Sequence, residues 1–385
     1  MNTRIADFVI VGAGVFGSWI AHFLCRKGHT VVIVDSYGAG NNRSSSGDET
    51  RIIRMGYGAD TLYTSWSARS LQLWRELFRI VGADGLFLNT GVLWLGCPTD
   101  NYTAQIPDAL AAQGIAHEKL SAQEIASRFP QLGLNDVSFG VFEPGSGVLL
   151  ARRSVRAVVD EAIRVGAQYL IDEVLSPAND RERINCLQTR SGTELVADTF
   201  IFACGPWLPK LFPAILRTRI FPTRQEVFFF GPPSGSQQFR APNVPVWLHH
   251  GEEIYALPDI ENRGIKIASD RRGEPFDPDS GDRMVRQESL REMRAYVRRR
   301  CPLLTDPPLL ETRVCQYENT SNGDLLIDRH PELRNVWLVG GGSGHGFKHG
   351  PAVGQYVSEM ILGAAEPEKR FSFERKLQVQ QREVY

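Results

Sequence analysis

The chain has 385 residues, enough for two domains or one large one, and its 42% apolar and 23% charged content is that of a water-soluble globular protein. A formal net charge of −1 gives no overall field to recruit nucleic acid or an anionic membrane. The opening MNTRIADFVIVGAG lacks the pattern of a secretory leader, no apolar run reaches the ~20 residues of a membrane span, and the closing QREVY is no peroxisomal address, so a cytoplasmic location is expected.

In chain order, residues 8–11 form a continuous apolar run, as in a buried parallel strand. Gly12, Gly14 and Gly17 follow as G-x-G-x-x-G, a helical stretch runs to Lys27, and Gly28 stands where a helix stops. TVVIVD then gives a second buried strand ending in Asp35, 18 residues past Gly17. This is a βαβ unit with a dinucleotide fingerprint. Gly12 permits the tight turn, Gly14 lets backbone approach a pyrophosphate, and Gly17 lets helix and strand pack closely. Asp35 can accept hydrogen bonds from ribose hydroxyls, which favours NAD or FAD over a 2′-phosphorylated cofactor.

Residues 40–58 are loop-like, with Arg43, Arg51 and Arg54. A helix is expected near 60–79, its stripe of Leu71, Trp74 and Phe78 facing the core. GLFLNTGVLWLG and DVSFGVFEPGSGVLL read as strands joined by a short helical segment at 121–128. Residues 152–166 read as a helix, and DTFIFACGPWLPKLF as a buried strand that breaks at Gly205-Pro206. Four β-like segments follow between 219 and 269, then an amphipathic helix near 282–300 ending in Arg298, Arg299 and Arg300, which read as a solvated helix end. Residues 335–364 repeat the order strand, glycine turn, helix. Nucleotide-type pieces therefore lie at the start, middle and end, with β-rich pieces between. Six cysteines, Cys25, Cys97, Cys186, Cys204, Cys301 and Cys315, form no C-x-x-C pair, which fits reduced thiols rather than disulfides or zinc. Composition alone reads Cys315 as a small buried hydrophobe.

The segments VIVGAGVFGS, SSGDETRIIRMGYG, FEPGSGVL, ACGPW, PTRQEV, RVCQYENTSNGDLLID and GSGHGFKHGPAVG, in this order, resemble the FAD-dependent amine oxidases of the monomeric sarcosine oxidase and N-methyltryptophan oxidase type, within the D-amino-acid-oxidase-like flavoproteins. The resemblance implies an α/β (α+β overall) fold: a Rossmann-like FAD-binding domain of the glutathione-reductase type with an inserted, mostly antiparallel substrate sheet. The expected division is 1–85, 146–216 and 322–385 for FAD, and 86–145 and 217–321 for substrate. It implies covalent attachment of the flavin 8α-methyl to Cys315 as a thioether. FAD contacts are implied at Val15, Phe16 and Ser36 near the fingerprint; at Arg43, Ser45, Ser46, Thr50 and Arg51 in the loop; at Cys204, Gly205 and Trp207; and at Gly342, Gly344, His345, Gly346, Phe347 and Lys348 in the last glycine turn.

The same resemblance makes Arg54 and Lys348 a clamp for an amino acid carboxylate, and Tyr255 and Tyr317 walls of the amine site. It places Lys266 where O2 takes electrons and Arg51 beside the flavin ring. Taken alone, Lys266 reads as an exposed strand lysine and His345 as structural; a salt bridge of Arg51 to Asp48 or Glu49 is the lesser alternative, and the glycines around Lys348 argue against an ordinary loop lysine. The chain departs from sarcosine oxidase at Asp270, a histidine in that enzyme, so an amine other than sarcosine is expected. The implied activity is oxidation of an N-alkyl or cyclic secondary amino acid: hydride passes to flavin N5, the imine hydrolyses, and O2 becomes H2O2. Open alternatives are a dehydrogenase of the same fold using a non-oxygen acceptor, and a non-catalytic FAD-binding protein. A monomer with no nucleic acid or membrane partner is expected.

Overall fold

The computed structural model describes residues 3–177, 182–377 and 384. Apart from Val384, the closing QREVY lies outside the described residues. The opening βαβ unit forms as its apolar runs dictate: β1 (Thr3–Val11), α1 (Val15–Arg26) and β2 (Val31–Asp35). Gly28, at φ +90°, ends the helix with its N–H donated back to Cys25 O. The chain continues through β3 (Arg51–Ile53), α2 (Thr61–Ile80), β4 (Phe87–Leu88), β5 (Val92–Gly96), α3 (Asn101–Ala112), β6 (Glu118–Ser121), α4 (Ala122–Arg128), β7 (Phe139–Glu143), β8 (Gly147–Leu149) and α5 (Ala151–Arg164). Then come β9 (Gln168–Ile171), β10 (Cys186–Gln188), β11 (Glu194–Phe202), the single turns α6 (Leu208–Leu211) and α7 (Pro213–Leu216), β12 (Phe221–Phe230), β13 (Val246–His249), β14 (Ile254–Leu257) and β15 (Ile265–Ser269). The last are α8 (Gln287–Arg300), β16 (Leu309–Asn319), β17 (Leu326–Arg329), β18 (Val336–Gly340) and α9 (Gly350–Ile361).

Two sheets organise these elements. A seven-stranded sheet runs β17-β18-β11-β1-β2-β9, with β10 beside β11. Its centre is parallel: β1 pairs with β11 and β2, β11 with β18, and β2 with β9. An eight-stranded sheet runs β16-β12-β15-β14-β13-β5-β7-β6 and is antiparallel except where β13 meets β5. A small third sheet, β3-β8-β4, accompanies them. This is the expected α/β fold: a parallel Rossmann-like sheet with a mostly antiparallel sheet built from intervening segments. Trp19 and Trp74 are fully buried and meet edge-to-face at 5.0 Å, joining α1 to α2. Among the described residues no helix is long and apolar enough to cross a membrane.

One element is added and one local expectation is corrected. Helix α3 lies in a stretch to which the sequence assigned no element, and Pro107 sits inside it. The Asp100 carboxylate caps its start by accepting from Thr103 N, and burial of Ile106 and Leu110 outweighs the proline penalty. The basic end of α8 is not uniformly solvated. Arg298 and Arg299 are exposed, but Arg300 is completely buried, donating to Asp136 and to Gly133 O, with His249 Nδ1 at 3.0 Å. Arg300→Ala is therefore expected to cost about 3 kcal/mol, because it strands a buried acceptor and a carboxylate. Arg298→Ala should stay within about 0.5 kcal/mol. Urea unfolding of the two variants checks the difference.

Candidate active site

The tight turn after β1 holds one side of a cavity of about 400 Å3. Gly12 has φ +106°, and a side chain there would run into Ala203 O; one at Gly17 would strike Gly12 O. Gly12 therefore needs glycine for both conformation and close approach, and Gly17 for close approach. Beyond the turn, Val15 N donates to Ser46 Oγ at 3.2 Å, which ties the loop to the start of α1. At the end of β2, the Asp35 carboxylate accepts from Ala13, Tyr37 and Gly38 N–H at 2.8–2.9 Å. Burial raises its pKa against these bonds. Gly14, Phe16, Ser36, Ser45, Cys204, Gly205, Trp207, Gly342, Gly346 and Phe347 also line this cavity. The Cys204 thiol donates to Val11 O at 3.2 Å, and burial lifts its pKa well above the ordinary range.

A second cavity, about 90 Å3, adjoins the first through four shared wall residues, Arg51, Tyr317, Gly344 and Phe347. Its wall carries a cluster of buried charge. Asp48 accepts from Arg51 at 2.6 Å and from Lys266, and Arg313 lies at 3.5 Å. Burial alone would raise the Asp48 pKa, but the three cations outweigh it and hold the carboxyl well below its usual range. Lys266 also donates to Thr50 O at 2.9 Å. Burial lowers its pKa despite the attraction of Asp48. Arg51 reaches further, donating to Ser45 O at 2.7 Å and to Cys315 Sγ at 3.4 Å.

A second set of cations gathers on Tyr57. The Arg54 guanidinium lies 4.4 Å from the Tyr57 ring and 4.6 Å from the Trp94 ring. Lys348 Nζ donates to Tyr57 Oη at 2.8 Å and to His345 O at 2.9 Å. His345 Nδ1 and His349 Nε2 meet the same phenol at 3.1 and 2.7 Å. Arg54, Lys348, Tyr57 and His349 are all buried. Burial raises the Tyr57 pKa and depresses that of His349, so this centre keeps a neutral phenol between its cations. Tyr317 Oη donates to Asp270 at 2.9 Å, and burial also raises the pKa values of Tyr255 and Tyr317.

Arg51, Arg54, Thr50, Tyr255, Lys266, Asp270, Cys315, Tyr317, Gly344, His345, Phe347 and Lys348 thus converge on the smaller cavity. Lys266 is buried at 2% exposure, so it is not the exposed strand lysine that sequence alone would favour, and Lys348, at 4%, is buried as its surrounding glycines suggest. The salt bridge read for Arg51 is present with Asp48. Arg43 stands apart: it is exposed, lies over the Tyr37 ring at 5.0 Å, and belongs to neither cavity wall. Sequence reasoning missed Tyr57, His349 and the anchoring role of Asp48. Tyr57 and His349 are separated by 292 positions, and no local spacing signals their contact.

A family model described as FAD dependent oxidoreductase matches residues 7–360. Monomeric sarcosine oxidase of Streptomyces avermitilis is 30% identical over 365 residues, covering 92% of this chain and 93% of the relative. N-methyl-L-tryptophan oxidase of Escherichia coli is 28% identical, covering 92% and 94%. The crystal structure of L-proline dehydrogenase from P. horikoshii shares the fold, with a TM-score of 0.85 at 22% identity, covering 97% and 98%. The larger cavity fits the cofactor of this family: it joins a side-chain-free turn at Gly12 and an acid at the end of β2. The chain belongs to the FAD dependent oxidoreductase family.

Proposed function

We propose that the protein is an FAD-dependent oxidase of a secondary amino acid, N-alkyl or cyclic. The substrate gives up a hydride from the carbon beside its nitrogen, the resulting imine hydrolyses, and O2 is reduced to H2O2. One observation carries this reading: two buried cations, Arg54 and Lys348, share the Tyr57 ring at a small cavity that adjoins the dinucleotide cavity. Arg54 suits bidentate binding of a carboxylate, and Lys348 adds a point charge. Bound FAD supplies the two-electron acceptor. Tyr255 and Tyr317 form an aromatic wall for the amine, and their phenols stay protonated, so the substrate nitrogen releases its proton to water rather than to either of them. Asp270, anchored by Tyr317, favours a substrate whose side chain carries a cation or a hydroxyl. Lys266 supplies positive charge where O2 gains electrons, and Arg51 favours anionic states at the cofactor. Cys315 tethers FAD through an 8α-thioether. We further propose a cytoplasmic monomer divided into the FAD and substrate segments given by the sequence reading.

Acid precipitation tests the tether: yellow colour should stay in the pellet for the wild type and leave it for Cys315→Ala. Colour that leaves both would exclude the thioether. Tyr57→Phe removes the hydroxyl that holds Lys348 and should raise KM for the amine about tenfold, with kcat little changed. An unchanged KM would remove the carboxylate clamp from the account. Lys266 carries its charge below its lowered pKa and loses it as pH rises through that value. Oxygen consumption at saturating amine should therefore fall on an alkaline limb below the ordinary lysine value of about 10.4. Lys266→Met should slow reoxidation by O2 ~100-fold and erase that limb in stopped-flow measurements. The L-proline dehydrogenase fold likeness keeps a non-oxygen acceptor as the second reading. One H2O2 per imine formed decides for the oxidase, and turnover that needs an added quinone or dye decides for the dehydrogenase.

A further inference from the structure

Strand β16 presents alternating faces. Cys315 lines the smaller cavity and Tyr317 the partition between the two, while Gln316 and Glu318 stand on the opposite face and line the larger cavity alone. Both of the latter are buried, at 0% and 6% exposure. Gln316 Nε2 donates to Arg43 O at 2.7 Å, but Gln316 Oε1 and Glu318 Oε1 have no hydrogen-bond partner among the described residues. Two orphaned polar atoms on one strand face, at the wall of one cavity, are expensive unless a ligand satisfies them. Their surroundings are built. Ser343 N donates to Glu318 O at 2.9 Å, fixing the strand to the last glycine turn. A side chain at Gly340 would collide with Glu318 Oε1, so the carboxyl is seated directly against that turn.

The chemistry of the pair is specific. Burial pushes the Glu318 pKa up to about 8, and the amides of Gly341 and Gly342 offset only part of that rise. A neutral carboxyl offers a donor, whereas the Gln316 carbonyl offers an acceptor. A group that is both donor and acceptor, an alcohol, matches the two together. The other charged groups at this wall are already engaged: Asp35 with backbone amides, Lys210 with Asp277 and Asp279, Arg51 with Asp48, Asp172 with Ser191 and Glu173 with Arg190. The Cys204 thiol is kept protonated by burial. We propose that Gln316 and Glu318 are cofactor-binding residues that hold the hydroxyls of the FAD polyol chain, Glu318 by donating and Gln316 by accepting. This rests on the reading of the larger cavity as the FAD site. Ionising Glu318 removes the donor and adds a negative charge beside a cofactor that already carries a diphosphate. FAD affinity should therefore hold below the Glu318 pKa and fall above it.

The test uses full-length protein carrying Cys315→Ala, so that FAD exchanges, with affinity read from flavin fluorescence at about pH 7 and about pH 9.5. The parent should lose affinity about tenfold between the two conditions. Added Glu318→Gln, which keeps a donor in the carboxyl's place, should bind within about twofold of the parent at the lower pH and lose the pH dependence. Added Glu318→Leu should weaken binding about tenfold at the lower pH, with apoprotein melting temperature as the check on folding. If Glu318→Leu does not fold, the flat pH profile of the glutamine variant decides alone. Unchanged affinity in the leucine variant, or a pH dependence that persists in the glutamine variant, overturns the proposal. A parent that takes up no FAD at either pH overturns the cofactor reading itself, and this inference with it.

Discussion

The buried Asp48 carboxylate is the constraint on which the smaller cavity depends. It draws Arg51 from β3, Lys266 from β15 and Arg313 from β16 onto one anion. Three like charges this close would repel one another in a dry interior, and the carboxylate makes their convergence tolerable. It also links the small third sheet to the large antiparallel one, so Arg51, which both cavities share, is placed by electrostatics as well as by strand register. The Arg51 contact to Cys315 Sγ follows from this arrangement, because the guanidinium is already fixed on Asp48.

The Tyr57 centre solves a related problem differently. Here two cations meet the face of one aromatic ring, and Lys348 also donates to its phenol. A neutral ring stabilises both cations without adding a negative charge of its own. The two centres thus give the cavity wall two kinds of cation partner, a buried carboxylate at Asp48 and a neutral aromatic ring at Tyr57.

The nucleotide half was readable because its signals are local. Gly12, Gly17 and Asp35 lie within one βαβ unit, and their roles follow from backbone geometry alone. Arg54, Lys348, Lys266 and Cys315 were found through motif likeness, since no periodicity brings them together. Tyr57, His349 and Asp48 were missed because their significance lies in contacts spanning more than 200 positions. Burial was the other blind spot. Arg300 sits in a run of three arginines whose pattern suggests solvent, yet the fold inserts it among Asp136, His249 and Gly133 O. Helix α3 was passed over, and it stands with a proline inside it because Ile106 and Leu110 are buried.

The partition wall between the cavities has a consequence for how such a protein can change. Arg51, Tyr317, Gly344 and Phe347 each face both compartments. Drift at these positions alters two functions at once and is penalised twice. Leu248 and Ile254 border the smaller cavity only. New amine specificities should therefore arise, in lineages or in directed evolution, on that far rim while the partition stays fixed.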